Sequence, residues 1–166
     1  MATVTLKGTP CHTIGDLPEV GEKAPDFKLT DKDLNDVSLS TFQGKKKLLY
    51  VVPSLDTPVC AASTKKLDAA AADHPDTVIL IVSADLPFAM GRFCSAENTS
   101  NVVVLSMMRT KQFGKDYGVL LTDGPLAGVT ARAVIVIDAG DKVVHTELVP
   151  EIAQEPDYDK ALSALA

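Results

Sequence analysis

The run Pro53-Ser54-Leu55-Asp56-Thr57-Pro58-Val59-Cys60 ends on a cysteine where the pattern of the chain changes. Before it, Leu48–Val52 is continuously apolar; after it, Ala61–Asp73 reads as a helix. Thr57 stands where an N-cap belongs and Pro58 where a first helical residue belongs, so Cys60 falls in the first turn. Backbone N–H groups there have no carbonyl partners and the helix dipole is positive, and both favour a thiolate. An unperturbed cysteine is only a few per cent thiolate near pH 7. The hydroxyl of Thr57 is close enough in such a turn to bond the sulfur or to orient an incoming oxygen. Pro53 and Pro58 stiffen the loop. The chemistry this suggests is cysteine redox chemistry. The same position also suits a small buried hydrophobe, with Thr57 acting only as a cap, and spacing alone leaves both readings open.

Two further residues enter the argument. Cys94 follows Arg92-Phe93 near the end of another predicted helix. It can simply pack, or it can attack an oxidised Cys60 and form a disulfide. A disulfide needs the two Cα atoms within about 7 Å, so two helical cysteines in separate segments require one or both helix ends to open. Arg132, in Thr130-Ala131-Arg132-Ala133-Val134, stands at the mouth of an apolar strand. It can pair with a surface carboxylate, or its guanidinium can stabilise a thiolate and a peroxide oxygen through charge-assisted hydrogen bonds.

The elements that must position these residues are legible from periodicity. Thr3–Lys7 and Cys11–Ile14 read as a hairpin around Gly8-Thr9-Pro10, and Phe27–Thr30 and Val37–Leu39 as two more short strands. Leu48–Val52 has the composition of a central strand buried on both faces, followed by the Cys60 helix. Thr77–Val82 is a second such strand. A helix with Pro87 near its start and Asp85 or Ser83 as cap runs to about Cys94. Val102–Leu105, a helical patch at Thr110–Tyr117, the strand pair Ala133–Ile137 and Val143–Leu148, and a last helix at Tyr158–Leu165 complete the order. Such alternation predicts an α/β fold with a mixed sheet, thioredoxin-like in order, with the N-terminal strands added, in one domain spanning residues 1–166.

Bulk composition excludes more than it assigns. The 166 residues are 46% hydrophobic and 23% charged, with a net charge of −6, which argues against nucleic acid or an anionic membrane as partner. No apolar run approaches the ~18 residues of a membrane span. Met1–Lys7 has no basic region followed by an apolar one, so the expected compartment is the cytoplasm. Three cysteines (Cys11, Cys60 and Cys94) do not make a secreted disulfide framework. Neither these cysteines nor the scattered His12, His74 and His145 have metal-site spacing, so no metal is expected.

Taken together, these residues resemble the peroxiredoxin family. Pro53-x-x-x-Thr57-x-x-Cys60 matches its active-site pattern P-x-x-x-T/S-x-x-C, and Arg132 matches its arginine. More narrowly, the chain is similar to the bacterial thiol peroxidase subfamily, an atypical two-cysteine type. The segments that carry this likeness are Ser83-Ala84-Asp85-Leu86-Pro87-Phe88-Ala89, Arg92-Phe93-Cys94, Gly124-Pro125-Leu126-Ala127-Gly128 and Glu155-Pro156-Asp157-Tyr158. The resemblance implies a thioredoxin fold with an N-terminal β-hairpin, and a homodimer. It implies a peroxidatic Cys60, a resolving Cys94 in the same chain, and a peroxide site completed by Thr57, Pro53 and Arg132. Thioredoxin would be the reductant, peroxide the substrate, and no cofactor is implied. Cys11 lies outside the pattern. Tyr50-Val51-Val52 replaces an expected Asn-Ile-Phe, so the floor of the pocket differs, and Ser95-Ala96-Glu97-Asn98 lacks a glycine common after the second cysteine. A dithiol oxidoreductase of the same fold would need a cysteine where Thr57 stands. A redox sensor that passes a Cys60–Cys94 disulfide to a partner shares the first steps and is the alternative.

Overall fold

Alternation along the inner strands sorts most of the core. A computed structural model describing residues 1–166 places β5 (Lys46–Val51) inside a seven-stranded sheet. Strand β6 (Thr77–Ser83) lies parallel on one side of it, and β8 (Ala133–Ile137) antiparallel on the other. Beyond β6 come β7 (Val103–Ser106), then β3 (Leu29–Asp31) and β4 (Asp36–Val37); beyond β8 comes β9 (Val143–Leu148). Because successive side chains point to opposite faces, Leu49 and Val51 join Leu80, Val82, Ala133 and Ile135 in one apolar layer. Leu48, Tyr50 and Val52 join Ile79, Ile81, Val134 and Val136 in the other. The second layer is where α1 (Pro58–Ala71), α2 (Pro87–Glu97) and α4 (Tyr158–Ser163) pack, and Cys60 is part of it. The short α3 (Gln112–Asp116) contributes Phe113 to the first layer. This is the mixed α/β, thioredoxin-like arrangement expected from the sequence.

The differences from expectation have physical causes. The N-terminal hairpin exists but is formed by β1 (Thr3–Leu6) and β2 (Thr9–His12), with Lys7-Gly8 as the turn rather than Gly8-Thr9-Pro10. Lys7 and Gly8 both have positive φ (50° and 82°), the two-residue geometry whose twist matches antiparallel strands. Pro10 can then sit in the strand opposite Thr5, whose own N–H is turned away to the Pro150 carbonyl, 2.8 Å. Thr13 and Ile14 pair with Leu121 and Leu120 instead. Strand β5 begins two residues earlier than its apolar run because Lys47, 0% exposed, is ion-paired with Asp141 beside the β8–β9 turn. The buried face of α1 is Cys60, Ser63, Thr64, Leu67 and Asp68. Ala70 lies off that face because the 3.6-residue repeat from Cys60 passes through Thr64 and Leu67.

Glu151 fastens the hairpin to the body. Its carboxylate accepts hydrogen bonds from the Thr5 hydroxyl, from Lys7 N (2.8 Å), and from Gly8 N and Ala153 N (3.2 Å each). These bonds, that from Thr5 foremost, pull its pKa from the ordinary 4.5 down to about 2. A depressed carboxylate contributes stability that is complete above its unfolded pKa and lost as pH falls through the folded one. We expect amide protection in Thr3–His12, measured against the intrinsic exchange rate at each pH, to fall selectively between pH 4.5 and about 2, and Glu151→Gln to show that lower protection already at neutral pH.

Candidate active site

Strand β5 ends where Val52 N bonds the Val82 carbonyl (2.9 Å) and the Val52 carbonyl accepts from the buried Thr130 hydroxyl (2.9 Å). Pro53, buried, then turns the chain out of the sheet. The loop that follows delivers Thr57 in extended conformation (φ −134°, ψ 150°) and Pro58 as the first residue of α1. Helical bonding starts only with Ala61 N to the Thr57 carbonyl (2.9 Å), so Cys60 sits where the helix offers unpaired N–H groups and the positive end of its dipole.

Arg132 meets it from the neighbouring strand. It immediately precedes β8, and β5–β8 register sets Tyr50 opposite Val134. Arg132, two residues before Val134, therefore lies on the same sheet face as Tyr50, under the start of α1. Its Nη1 donates to Cys60 Sγ at 3.1 Å and to the Tyr50 hydroxyl at 2.8 Å, while Nε donates to the Ile152 carbonyl at 2.9 Å. All three side chains are closed off: Cys60 and Tyr50 are 0% exposed and Arg132 2%. A surface carboxylate pairing is therefore ruled out for Arg132. Burial opposes its charge, but Tyr50 and Cys60 outweigh it and keep the guanidinium above its ordinary pKa. Burial also pushes the Tyr50 phenol up, against the pull of Arg132, so Tyr50 is a neutral partner at physiological pH. A hydrogen bond from a guanidinium is strongest to an anionic acceptor, which makes this arrangement a cradle for a thiolate and for oxygen developing charge beside it.

Thr57 holds the N-cap position that its spacing indicates, but without a side-chain cap bond. Its side chain neither caps α1 nor bonds the sulfur; the hydroxyl donates to the Ser54 carbonyl at 3.1 Å, and only the oxygen's lone pairs remain for another group. Asp85 is also not a helix cap. Its Oδ1 accepts from the Ser54 hydroxyl (2.7 Å) and its Oδ2 from Leu55 N (2.7 Å) and the Ser83 hydroxyl (2.7 Å). Helix α2 starts uncapped at Leu86. Cys94 lies in the last turn of α2, half-buried, with its carbonyl accepting from Thr99 N (3.1 Å) and from Asn98 N. Asn98 takes the left-handed C-cap (φ 57°) that a glycine would otherwise fill. A Lys65–Glu97 ion pair ties α1 to the end of α2, and Asp68 accepts from Asn101 N (2.7 Å) in the segment after α2. Cys60 and Cys94 are free thiols in intact helices that share one apolar layer. Cys11 is apart from them, buried with Val4, Leu121 and Ile152, and burial pushes its thiol up.

Sequence reasoning missed Tyr50 as a partner and Asp85 as a tie between loops. The first left a signal: a hydroxyl inside a wholly apolar central strand needs a bonding partner. The second left none, since Asp85 reads equally well as a cap.

Comparison with known proteins shows the family of the chain. Residues 19–162 match the redoxin family. The thiol peroxidase of Mycobacterium tuberculosis (strain ATCC 25618 / H37Rv) is 54% identical over 165 residues, covering 99% of each chain. Among solved structures, a peroxiredoxin-like protein from Aquifex aeolicus superposes with a TM-score of 0.93 at 41% identity, covering 99% of this chain and 96% of the other. A thiol peroxidase from Chromobacterium violaceum gives 0.92 at 27%, with the same coverage. With likeness of this degree from end to end, the chain belongs to the redoxin family and sides with its thiol peroxidases.

Proposed function

We propose that this chain, acting as one domain over residues 1–166, reduces hydrogen peroxide and organic hydroperoxides at Cys60, with Cys94 as resolving thiol and thioredoxin as electron donor. The observation that carries this reading is the 3.1 Å bond from a fully buried Arg132 to a fully buried sulfur in the first turn of a helix. An inert core cysteine has no need of a guanidinium, whose desolvation is costly unless a charge is to be met.

The Cys60 thiolate attacks the distal peroxide oxygen. An S–O bond forms, the O–O bond breaks, and its electron pair leaves on the proximal oxygen, which takes a proton to become alcohol or water. Arg132 stabilises the charge on the leaving oxygen, and the lone pairs of Thr57 orient the proton of the incoming peroxide. Pro53 sets the turn that aims Cys60 back at Arg132. The sulfenic acid is then attacked by Cys94; an S–S bond forms and water leaves. Thioredoxin's dithiol returns both cysteines to thiols by exchange, becoming a disulfide itself. Because both cysteines stand in intact helices, resolution requires the last turn of α2, the first turn of α1, or both, to open.

The same reading includes a homodimer, for which Leu86 (53% exposed) and Phe88 (66% exposed) at the start of α2 offer apolar surface, and a cytoplasmic setting. No helix is long and apolar enough to cross a membrane.

The test is peroxide consumption coupled to thioredoxin. Cys60→Ser gives no turnover, and Cys94→Ser gives one oxidation of Cys60 without thioredoxin-linked cycling. Turnover by Cys60→Ser would end the proposal, and cycling by Cys94→Ser would move resolution to another thiol. Tyr50→Phe leaves a buried guanidinium N–H short of one partner. It should lower stability by about 1–3 kcal/mol in denaturant titrations while slowing Cys60 oxidation by less than about tenfold, because Arg132 keeps its bond to the sulfur.

A further inference from the structure

The loop that presents Cys60 is held by a residue on the segment leading to the Cys94 helix. Asp85 stands between β6 and α2 and reaches across to the loop after β5. One carboxylate oxygen accepts from the Ser54 hydroxyl, the other from Leu55 N, each at 2.7 Å. The Ser54 hydroxyl in turn accepts from Asp56 N at 3.1 Å, so three consecutive loop residues hang on this one carboxylate. Asp85 is itself fixed from below. Its Oδ2 accepts from Ser83 Oγ (2.7 Å), its own N–H donates to Ser83 Oγ (3.1 Å), and its carbonyl accepts from the Ser106 hydroxyl. Ser83 and Ser106 face each other at the ends of β6 and β7 and are both buried, so the carboxylate is mounted on the rigid sheet. Directly beside these bonds is an open groove of about 380 Å³, lined by Leu55, Asp56, Asp85, Arg92 and Phe93 among others, which separates the loop from the face of α2.

We propose that Asp85 is a positioning residue that sets the balance between the two states of the cycle. With its bonds made, the loop is held and Cys60 stays on Arg132, the geometry for attack on peroxide. With its bonds broken, the loop and the first turn of α1 are free to leave Arg132, the geometry that resolution by Cys94 requires. Asp85 touches neither thiol. Lys65–Glu97 and Asp68–Asn101 grip α1 beyond its first turn, whereas the hydrogen bonds of Asp85 hold the loop that precedes Cys60, beside the core packing of its Leu55. This inference rests on the peroxidase reading above.

The consequence is a choice imposed on the sulfenic acid. While the loop is held, a second peroxide can oxidise Cys60 from sulfenic to sulfinic acid: a second S–O bond forms, the peroxide O–O bond breaks, and its proximal oxygen leaves with the electron pair and takes a proton as alcohol or water. Once the loop is released, Cys94 condenses with the sulfenic acid and water leaves. Asp85 therefore fixes the ratio of sulfinic acid to disulfide at a given peroxide concentration.

The test uses Asp85→Asn, whose amide nitrogen cannot accept the bonds the carboxylate accepts, and Ser54→Ala, which removes one tie and leaves the carboxylate in place. Rapid-mixing kinetics follow oxidation of Cys60 and formation of the disulfide separately, and mass spectrometry counts sulfinic acid per turnover. In Asp85→Asn, oxidation slows, disulfide formation accelerates, and sulfinic acid per turnover falls by roughly tenfold, the size expected for losing a hydrogen bond to a charged group. Ser54→Ala moves all three in the same direction by about threefold. An unchanged ratio of sulfinic acid to disulfide in both variants, or oxidation and resolution slowed together, would overturn the proposal. Failure of the underlying reading looks different: peroxide would then leave Cys60 unoxidised in the unsubstituted chain as well.

Discussion

A guanidinium buried against an apolar sheet is costly unless its N–H groups find partners, and Arg132 commits Nη1 to a sulfur and a phenol and Nε to a main-chain carbonyl. Much of the surrounding architecture serves that requirement. The β5–β8 register brings Tyr50 onto the same face as Arg132, and the segment after β9 supplies the Ile152 carbonyl. The turn at Pro53 returns the chain so that the first turn of α1 arrives over the arginine. Tyr50 and the carbonyl meet the guanidinium as neutral acceptors, and the sulfur is its third partner.

The same closure creates the difficulty that the proposed cycle has to solve. A buried sulfur in the first turn of one helix has to reach a second sulfur in the last turn of another. The features that surround the two cysteines are those of a structure able to open at its edges while its centre holds. Cys94 is one turn from the end of α2, where the helix is finished by a left-handed asparagine rather than by further packing. The loop before Cys60 is fastened by hydrogen bonds from the Ser54 hydroxyl and the Leu55 N–H to a half-buried carboxylate, whereas the Leu48–Val52 strand beneath it is buried on both faces. Bonds of that kind break locally at far lower cost than a sheet core.

Strand and helix order was readable because continuous β-branched runs, helix-starting prolines and turn glycines act over a few residues, and the sheet assembled from them as expected. Cys60 was legible for the same reason: its place after Thr57-Pro58 is a local fact. The partners were not. The pairing of Arg132 with Tyr50 and Cys60 depends on sequence separations of 82 and 72 residues, joined only through strand register, which no local pattern encodes. Thr57 does stand at the N-cap, but its hydroxyl donates to the Ser54 carbonyl and no N–H of α1 donates to its oxygen. The N-terminal hairpin slipped by two residues because Lys7 adopts a left-handed conformation that lysine seldom takes.

The central claim is that Arg132 makes Cys60 reactive toward peroxide in particular, and one comparison addresses it most directly. Rapid-mixing rates for oxidation of Cys60 by peroxide are measured alongside its alkylation by iodoacetamide, in the unsubstituted chain and in Arg132→Lys. A lysine keeps the charge but lacks the planar fork that spans sulfur, phenol and carbonyl. The account predicts that oxidation falls by about a hundredfold or more while alkylation changes by much less, since alkylation has no leaving oxygen to stabilise. Equal losses in the two rates, or an oxidation rate that survives the substitution, would contradict it.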